Sequence, residues 1–94
     1  MEFKNLRNNF LFLLGNRWVK SGSLGPYQTE LIYEAFSDIP YENISTELEA
    51  LQSKAYVAMT PDRERIYLTE KGISQIEFLL SMEKYGYDNQ RNYK

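Results

Sequence analysis

The chain contains no cysteine and no histidine among its 94 residues. Without these side chains it has no disulfide framework, zinc knuckle, thiol nucleophile or histidine general base. We therefore expect no catalytic residue, no bound metal and no other cofactor. Carboxylate pairs such as Glu30 with Glu34 and Glu47 with Glu49 are interpreted as solvated helix surface, and a small hydrolase is the least favoured class of function.

Long apolar runs are also missing. A run such as Phe10–Leu14 falls far short of the roughly 20 residues needed to cross a bilayer, and it lacks the cleavage site of a signal peptide. A chain of 94 residues forms one small domain with a modest core, which often gains stability by pairing with a copy of itself. We expect a soluble, cytoplasmic protein without membrane contact.

Charge is unevenly distributed along the chain, whose formal net charge is -2. Residues 1–20 hold four basic side chains against one acidic side chain, whereas residues 21–60 hold one lysine against six acidic side chains. Binding to nucleic acid phosphates requires clustered lysine and arginine. Any nucleic-acid surface would therefore combine the amino-terminal segment, the region of Arg63 and Arg65, and the last helix.

Four segments carry the periodicity of helices. Apolar residues at three- and four-residue steps predict a first helix from Phe3 to Leu14, and Gly15-Asn16 supplies its stop. Residues 16–25 are predicted as a connection that contains two candidate strand residues, Trp18 and Val19. Gly25-Pro26 precedes a second helix of about three turns.

Pro40 suits the first position of a third helix. The apolar side of that helix comprises Ile44, Leu48, Leu51 and Ala55. Two helices joined by a tight turn are the signature of a helix-turn-helix, which favours DNA binding over catalysis.

A β-hairpin is predicted directly after the third helix. Its inward-facing residues alternate along two strands, Val57 and Met59 on the first and Ile66 and Leu68 on the second. Thr60-Pro-Asp-Arg63 has the composition of a type I turn, and Thr69 caps a final helix that runs to about Tyr85. The predicted fold is α+β and mainly helical: a winged helix-turn-helix with a two-stranded wing and a C-terminal dimerisation helix. Its domain covers residues 1–85, and residues 86–94 form a polar tail.

The final helix carries two apolar stripes. One comprises Ile73, Ile76 and Leu80, and the other, on nearly the opposite side, comprises Phe78, Met82 and Tyr85. A helix that is apolar on two faces must be covered twice. The second cover is either another subunit around a two-fold axis or the first helix folded over both faces. We favour a homodimer, with an interface made of Phe3, Phe10, Phe78, Met82 and Tyr85.

Two motifs resemble one known family. Gly25-Pro-Tyr-Gln-Thr-Glu-Leu-Ile32 resembles the segment that opens the second helix of PadR-type winged-helix regulators. Tyr41-x-x-Ile44-x-x-x-Leu48-x-x-Leu51-x-x-x-x-Tyr56-Val57, with Tyr67-Leu-Thr-Glu-Lys-Gly72, is similar to that family's reading helix and wing. The resemblance covers about residues 3–80 and implies a homodimer that inserts its third helix into the major groove of double-stranded DNA. Small relatives include transcriptional regulators and plasmid or viral proteins, among them partition proteins that bind centromere DNA.

The residues predicted to contact DNA lie in three places. Gln28 and Thr29 start the second helix, where backbone amides meet phosphate, and Arg63 and Arg65 belong to the wing. The groove side of the third helix supplies Tyr41, Glu42, Asn43, Ser45, Thr46 and Glu49. The competing interpretations are helix capping for the first pair, an ordinary charged turn for the arginines and a solvated polar face for the helix.

Two functions from different classes remain open. The first is a sequence-specific duplex DNA-binding dimer, acting as a transcriptional regulator or as a plasmid or viral DNA-organising factor. The second is a winged-helix module that binds a protein partner, which the acidic middle of the chain favours. Trp18 and the tyrosines could stack on single-stranded bases, although such aromatics more often belong to cores and interfaces.

Overall fold

A computed structural model describes the backbone of residues 6–92 and the surroundings of side chains 6–82. Its elements are α1 (Leu6–Ser21), β1 (Tyr27–Gln28), α2 (Glu30–Ala35), α3 (Tyr41–Ser53), β2 (Val57–Met59), β3 (Arg65–Leu68) and α4 (Glu70–Asn92). The strands form an antiparallel sheet in the order β1-β3-β2. The predicted class, α+β and mainly helical, is confirmed, and the architecture is compatible with a winged helix.

The first helix is longer than predicted. Gly15 does not stop it: this glycine is buried inside α1, where an added Cβ would lie 3.0 Å from the Cδ1 atom of Ile76 on α4. The helix ends instead at Gly22, whose φ of 73° is left-handed and whose N–H donates to the carbonyl oxygen of Trp18 at 2.7 Å. The predicted connection after Gly15, with its short strand, is therefore wrong, because Gly15 provides close helix packing and Gly22 provides the turn.

The segment before α2 forms a strand that the sequence did not predict. Tyr27 pairs with Ile66 and Gln28 pairs with Arg65 on β3. The predicted second helix of about three turns is consequently reduced to the six residues of α2. A strand of two residues is too short to show an alternating pattern, so the sequence alone does not reveal it.

The predictions for α3 and the hairpin hold, with one exception. The helix begins directly after Pro40 and buries Ile44, Leu48 and Leu51. Ala55 was predicted on that apolar side, but it lies beyond the helix end, is exposed and has a φ of 64°. The hairpin pairs Val57 with Leu68 and Met59 with Ile66, and the N–H of Arg63 closes the predicted turn onto the Thr60 carbonyl at 2.8 Å.

The core lies between α1, α3, the sheet and the first half of α4. Phe10 is fully buried there, with its ring centroid 5.0 Å from that of Phe36. A side chain without exposed surface has none to offer to a second subunit, so the placement of Phe10 in a dimer interface is corrected. Phe3 and Tyr85 lie outside the described side chains.

The start of α4 is fixed by a tight contact with the segment that joins α3 to β2. Thr69 caps the helix as predicted, accepting the N–H of Gly72 on its hydroxyl oxygen at 2.9 Å, and donates that hydroxyl to the Ala55 carbonyl at 2.6 Å. Gly72 is buried so closely against Tyr56 that an added Cβ would collide with the Tyr56 carbonyl oxygen. Gly72 is therefore needed because a side chain at this position would clash with the backbone of Tyr56, and not because the position has a left-handed conformation.

Gly72→Ala is expected to lower the free energy of unfolding by roughly 1 to 3 kcal/mol, because the backbone of α4 or of the segment between α3 and β2 must shift. Replacing an ordinary helical glycine by alanine gains up to about 1 kcal/mol, so the expected sign is reversed. Urea unfolding followed by circular dichroism measures the difference. Ser74→Ala, at an exposed position in the same helix, should change stability by less than about 0.5 kcal/mol. A stabilised Gly72→Ala variant would contradict the close approach.

The exposed side of α4 differs from the predicted pair of stripes. Ile76 is buried as expected, but Leu80 is 52% exposed, and Phe78 and Met82 are 56% and 55% exposed. Phe78 and Met82 are four residues apart and share one face of the helix, and we call them the α4 apolar patch. Leu80 was predicted to face the core, but Ile76 is the last buried side chain of α4 within residues 6–82. The helix itself continues to Asn92, beyond its predicted end near Tyr85. Among the residues described, no helix is long and apolar enough to span a membrane.

Candidate nucleic-acid interface

A cleft of about 620 Å³ opens between α2, α3 and the β2–β3 hairpin. Its apolar lining includes Leu48 and Met59. Six of the ten residues predicted to contact DNA line it: Gln28, Thr29, Tyr41, Ser45, Arg63 and Arg65. We call this feature the α3–hairpin cleft. The cleft thus brings together side chains from all three places that were predicted to contact DNA: the start of α2, the hairpin and α3.

The other predicted residues of α3 lie outside this cleft. Glu42, Asn43 and Thr46 line a shallow depression of about 260 Å³ with Glu47. Glu49 is exposed and reaches the hairpin through an ion pair with Arg63. The polar surface of α3 is therefore divided between a side that faces the hairpin and a side that faces away from it.

The sheet positions two polar side chains on the same side of the cleft. Gln28 on β1 lies opposite Arg65 on β3, and directly opposed residues of antiparallel strands project from the same face. Both side chains are exposed. Gln28 therefore accompanies Arg65 as a neighbouring donor, a relation that follows from the unpredicted strand β1.

The side chain of Thr29 has a role that neither interpretation of the sequence, phosphate contact or helix capping, predicted. Only 6% of Thr29 is exposed, its hydroxyl donates to the Arg63 carbonyl at 2.7 Å, and its N–H donates to the Glu64 carbonyl at 2.9 Å. Its side chain makes no capping hydrogen bond to α2. The predicted phosphate contact by this side chain is corrected: the hydroxyl is used internally, where it ties the start of α2 to the hairpin.

The tip of the hairpin is held by a polar network. The Thr60 hydroxyl donates to an Asp62 carboxylate oxygen at 2.7 Å and accepts the N–H of Arg65 at 3.2 Å. The same Asp62 oxygen accepts the N–H of Glu64 at 2.9 Å. This backbone hydrogen bond is the largest of the causes that lower the pKa of Asp62 below its ordinary value. Asp62 thus remains ionised at neutral pH, and its carboxylate stabilises the turn.

Two carboxylates of α3 are paired with arginines from other elements. Glu49 forms an ion pair with Arg63 at the hairpin, with 2.9 Å between the Oε1 and Nη2 atoms. Glu47 forms another with Arg7 of α1. Sequence reasoning missed both pairs, because the partners are far apart in the chain and share no local pattern. The pairs reduce the negative potential of a helix that contains no lysine or arginine.

An aromatic pair forms one wall of the cleft. The rings of Tyr33 and Tyr41 are stacked, with centroids 4.7 Å apart and planes inclined by 16°. Burial is the main reason that the pKa of Tyr33 is raised, and a hydrogen bond with Tyr41 adds to the effect. Tyr41 is 70% exposed. Sequence reasoning selected Tyr41 but missed Tyr33, which only the packing of α2 on α3 places there.

The cleft has mixed charge. Its lining includes Arg63 and Arg65 together with three carboxylates, those of Glu30, Asp62 and Glu64. The cleft therefore does not present a broad positive field. Within the described residues, no group of three acidic side chains is arranged to hold a metal ion.

Comparisons with family models, curated proteins and solved structures find no match to this chain.

Proposed function

We propose that this protein binds duplex DNA as a dimer and recognises specific sites. The observation that carries the proposal is the α3–hairpin cleft, in which Tyr41 and Ser45 of α3 line the same cleft as two arginines of the hairpin. In this arrangement α3 enters the major groove and the hairpin acts as a wing against the flanking backbone. A PadR-like relationship belongs to the same proposal and rests on the motifs described above.

The proposal assigns different tasks to the two sides of the interface. Arg65, Gln28 and Arg63 contact phosphate, which positions the protein on the duplex. Ser45, Thr46 and Glu42 lie on α3, from which they reach base edges. A hydroxyl can donate or accept a hydrogen bond there, and a carboxylate accepts one from the amino group of cytosine. The ion pairs of Glu47 and Glu49 support this assignment, because they leave α3 less repulsive to phosphate than its sequence suggests.

The biological role that we propose is transcriptional regulation or the organisation of plasmid or viral DNA, including partition. In both roles a dimer would match a two-fold symmetric site. The α4 apolar patch supplies the surface for a second copy in this proposal, since apolar side chains more than half exposed are costly to leave in water.

A salt titration tests the proposed function. Affinity for a random duplex and for genomic fragments is measured by fluorescence anisotropy from about 50 to 200 mM salt. A duplex binder should lose affinity steeply, with a log–log slope of about -0.9 for each phosphate contacted. Some genomic fragments should bind more tightly than the random duplex at every salt concentration. A single-stranded competitor of equal length serves as the control.

A module that binds a protein partner is the second candidate. It is favoured by the absence of basic residues from α3 and by the three carboxylates that line the cleft. A surface of this kind is complementary to a basic segment of another protein. Absence of duplex binding at about 50 mM salt, where electrostatic binding is strong, would overturn the DNA proposal in favour of this one.

A further inference from the structure

The geometry points to a specificity function for Glu49: it is a positioning residue that holds Arg63 away from DNA until a suitable site is bound. In the free protein the Glu49 carboxylate occupies the guanidinium of Arg63, with 2.9 Å between Oε1 and Nη2. This inference rests on the proposed function. It adds that the phosphate contact of Arg63 requires the prior release of a carboxylate on α3.

Because the backbone of the hairpin is held in place, Arg63 can exchange Glu49 for a phosphate only by movement of its side chain. The backbone of Arg63 is fixed by two hydrogen bonds, one from the Thr29 hydroxyl to its carbonyl at 2.7 Å and one from its N–H to the Thr60 carbonyl at 2.8 Å. The Arg63 side chain is 49% exposed, and its guanidinium is paired with Glu49, which is itself 56% exposed. Arg63 can therefore change partner by rotation of its side chain while the hairpin remains in place.

The ion pair is easily exchanged. Both side chains are about half exposed, at 49% for Arg63 and 56% for Glu49, and exposed pairs of this kind contribute little to stability. A phosphate competes well for the same guanidinium, because its binding also releases counterions from the duplex. The pair therefore keeps Arg63 occupied in the free protein without preventing its transfer to DNA.

Transfer of Arg63 leaves Glu49 without its partner, and the consequence depends on the base sequence. Next to phosphates and bases that offer only acceptors, the free carboxylate is repelled. Next to a cytosine, it accepts a hydrogen bond from the exocyclic amino group. Arg63 thus contributes most at sites that satisfy Glu49, which links a backbone contact to a base contact.

The test is a double-mutant cycle that uses the full chain. Glu49→Gln, Arg63→Ala and the double variant are compared with wild type on a random duplex and on the tightest genomic fragment. Glu49→Gln should raise affinity for the random duplex by about 3- to 10-fold and steepen the salt slope by about one unit, the value for one phosphate contact. The gain on the preferred fragment should be smaller, so the specificity ratio falls.

Glu34→Gln is the matched control, because it removes the same charge from an exposed position that lies outside the cleft and outside the residues assigned to DNA contact. Its effect should be the same in wild type and in the Arg63→Ala variant, whereas the effect of Glu49→Gln should shrink at least about threefold when Arg63 is absent. All the substituted side chains are exposed, so each variant should fold as wild type does.

Two outcomes overturn the inference, and they are distinguishable. If the variants bind duplex DNA but Glu49→Gln has the same effect in both backgrounds, Glu49 acts only through its charge, while the proposed function stands. If neither wild type nor any variant binds a duplex at low salt, the proposed function fails and this inference fails with it.

Discussion

A variant that carries Phe78→Glu and Met82→Glu is expected to be a folded monomer at concentrations where the proposed wild-type dimer forms. Both side chains are more than half exposed in the described chain, so the core does not depend on them. In a two-fold interface each carboxylate would be desolvated near its symmetry mate, which costs about 3 to 5 kcal/mol for an unpaired buried charge. Sedimentation equilibrium measures assembly, and circular dichroism measures folding.

The same variant should bind its DNA site about 10²- to 10⁴-fold more weakly, because a monomer loses the effective concentration provided by a linked second domain. Lys71→Glu is the control: it changes net charge by the same amount at an exposed position of α4 that lies outside the α4 apolar patch. An unfolded variant would mean that the patch holds the fold together. An intact dimer would place the interface elsewhere, for example at Val19, which is 75% exposed on α1.

Arg63→Ala combined with Arg65→Ala should weaken binding to every duplex, through Arg65 on all of them and through Arg63 most strongly at the sites that satisfy Glu49. Each lost charge-assisted contact costs roughly 1.5 to 3 kcal/mol, and the salt slope should fall by about one to two units. The hairpin should remain folded, because its tip is held by backbone groups and by the side chains of Thr29, Thr60 and Asp62. Alanine also keeps the Cβ that Arg63 already carries at a φ of 64°.

The control for this double variant is Arg17→Ala with Lys20→Ala, which removes the same charge from exposed positions of α1 outside the cleft. Fluorescence anisotropy over a range of salt concentrations gives both the affinity and the slope. A change in sequence preference with an unaltered slope would move the arginines from phosphate contact to base contact. Equal losses in the control would show that only net charge matters.

Local patterns predicted the middle of the chain well. The apolar spacing of α3, the turn that ends at Arg63 and the cap at Thr69 each depend on residues close together in sequence, and all three are confirmed. The end of α1 was wrong because Gly15 and Gly22 look alike in sequence, although one packs against Ile76 and the other turns the chain. Only the placement of α4 distinguishes the two glycines.

The residue types of the candidate site were predicted from the sequence, but the contacts between its side chains were not. Exposed polar residues such as Gln28 and Arg65 were selected by type and position, and the structure brings them together through β1. The contacts of Thr29, Glu47 and Glu49 were not predictable, because their partners come from distant parts of the chain. Periodicity reports which face of a helix is apolar, but it carries no information on which neighbour a polar side chain meets.

The central position of β3 makes the hairpin part of the body of the protein. It pairs with β2 on one side and β1 on the other, and the Thr29 N–H extends this pairing to Glu64 near the tip. The hairpin cannot swing outward as a flap without breaking these hydrogen bonds. A ligand that enters the cleft therefore meets a wall that is already formed, and any change of shape on binding must occur in the ligand. If the ligand is a duplex, sequences that bend easily or widen their groove easily should bind more tightly.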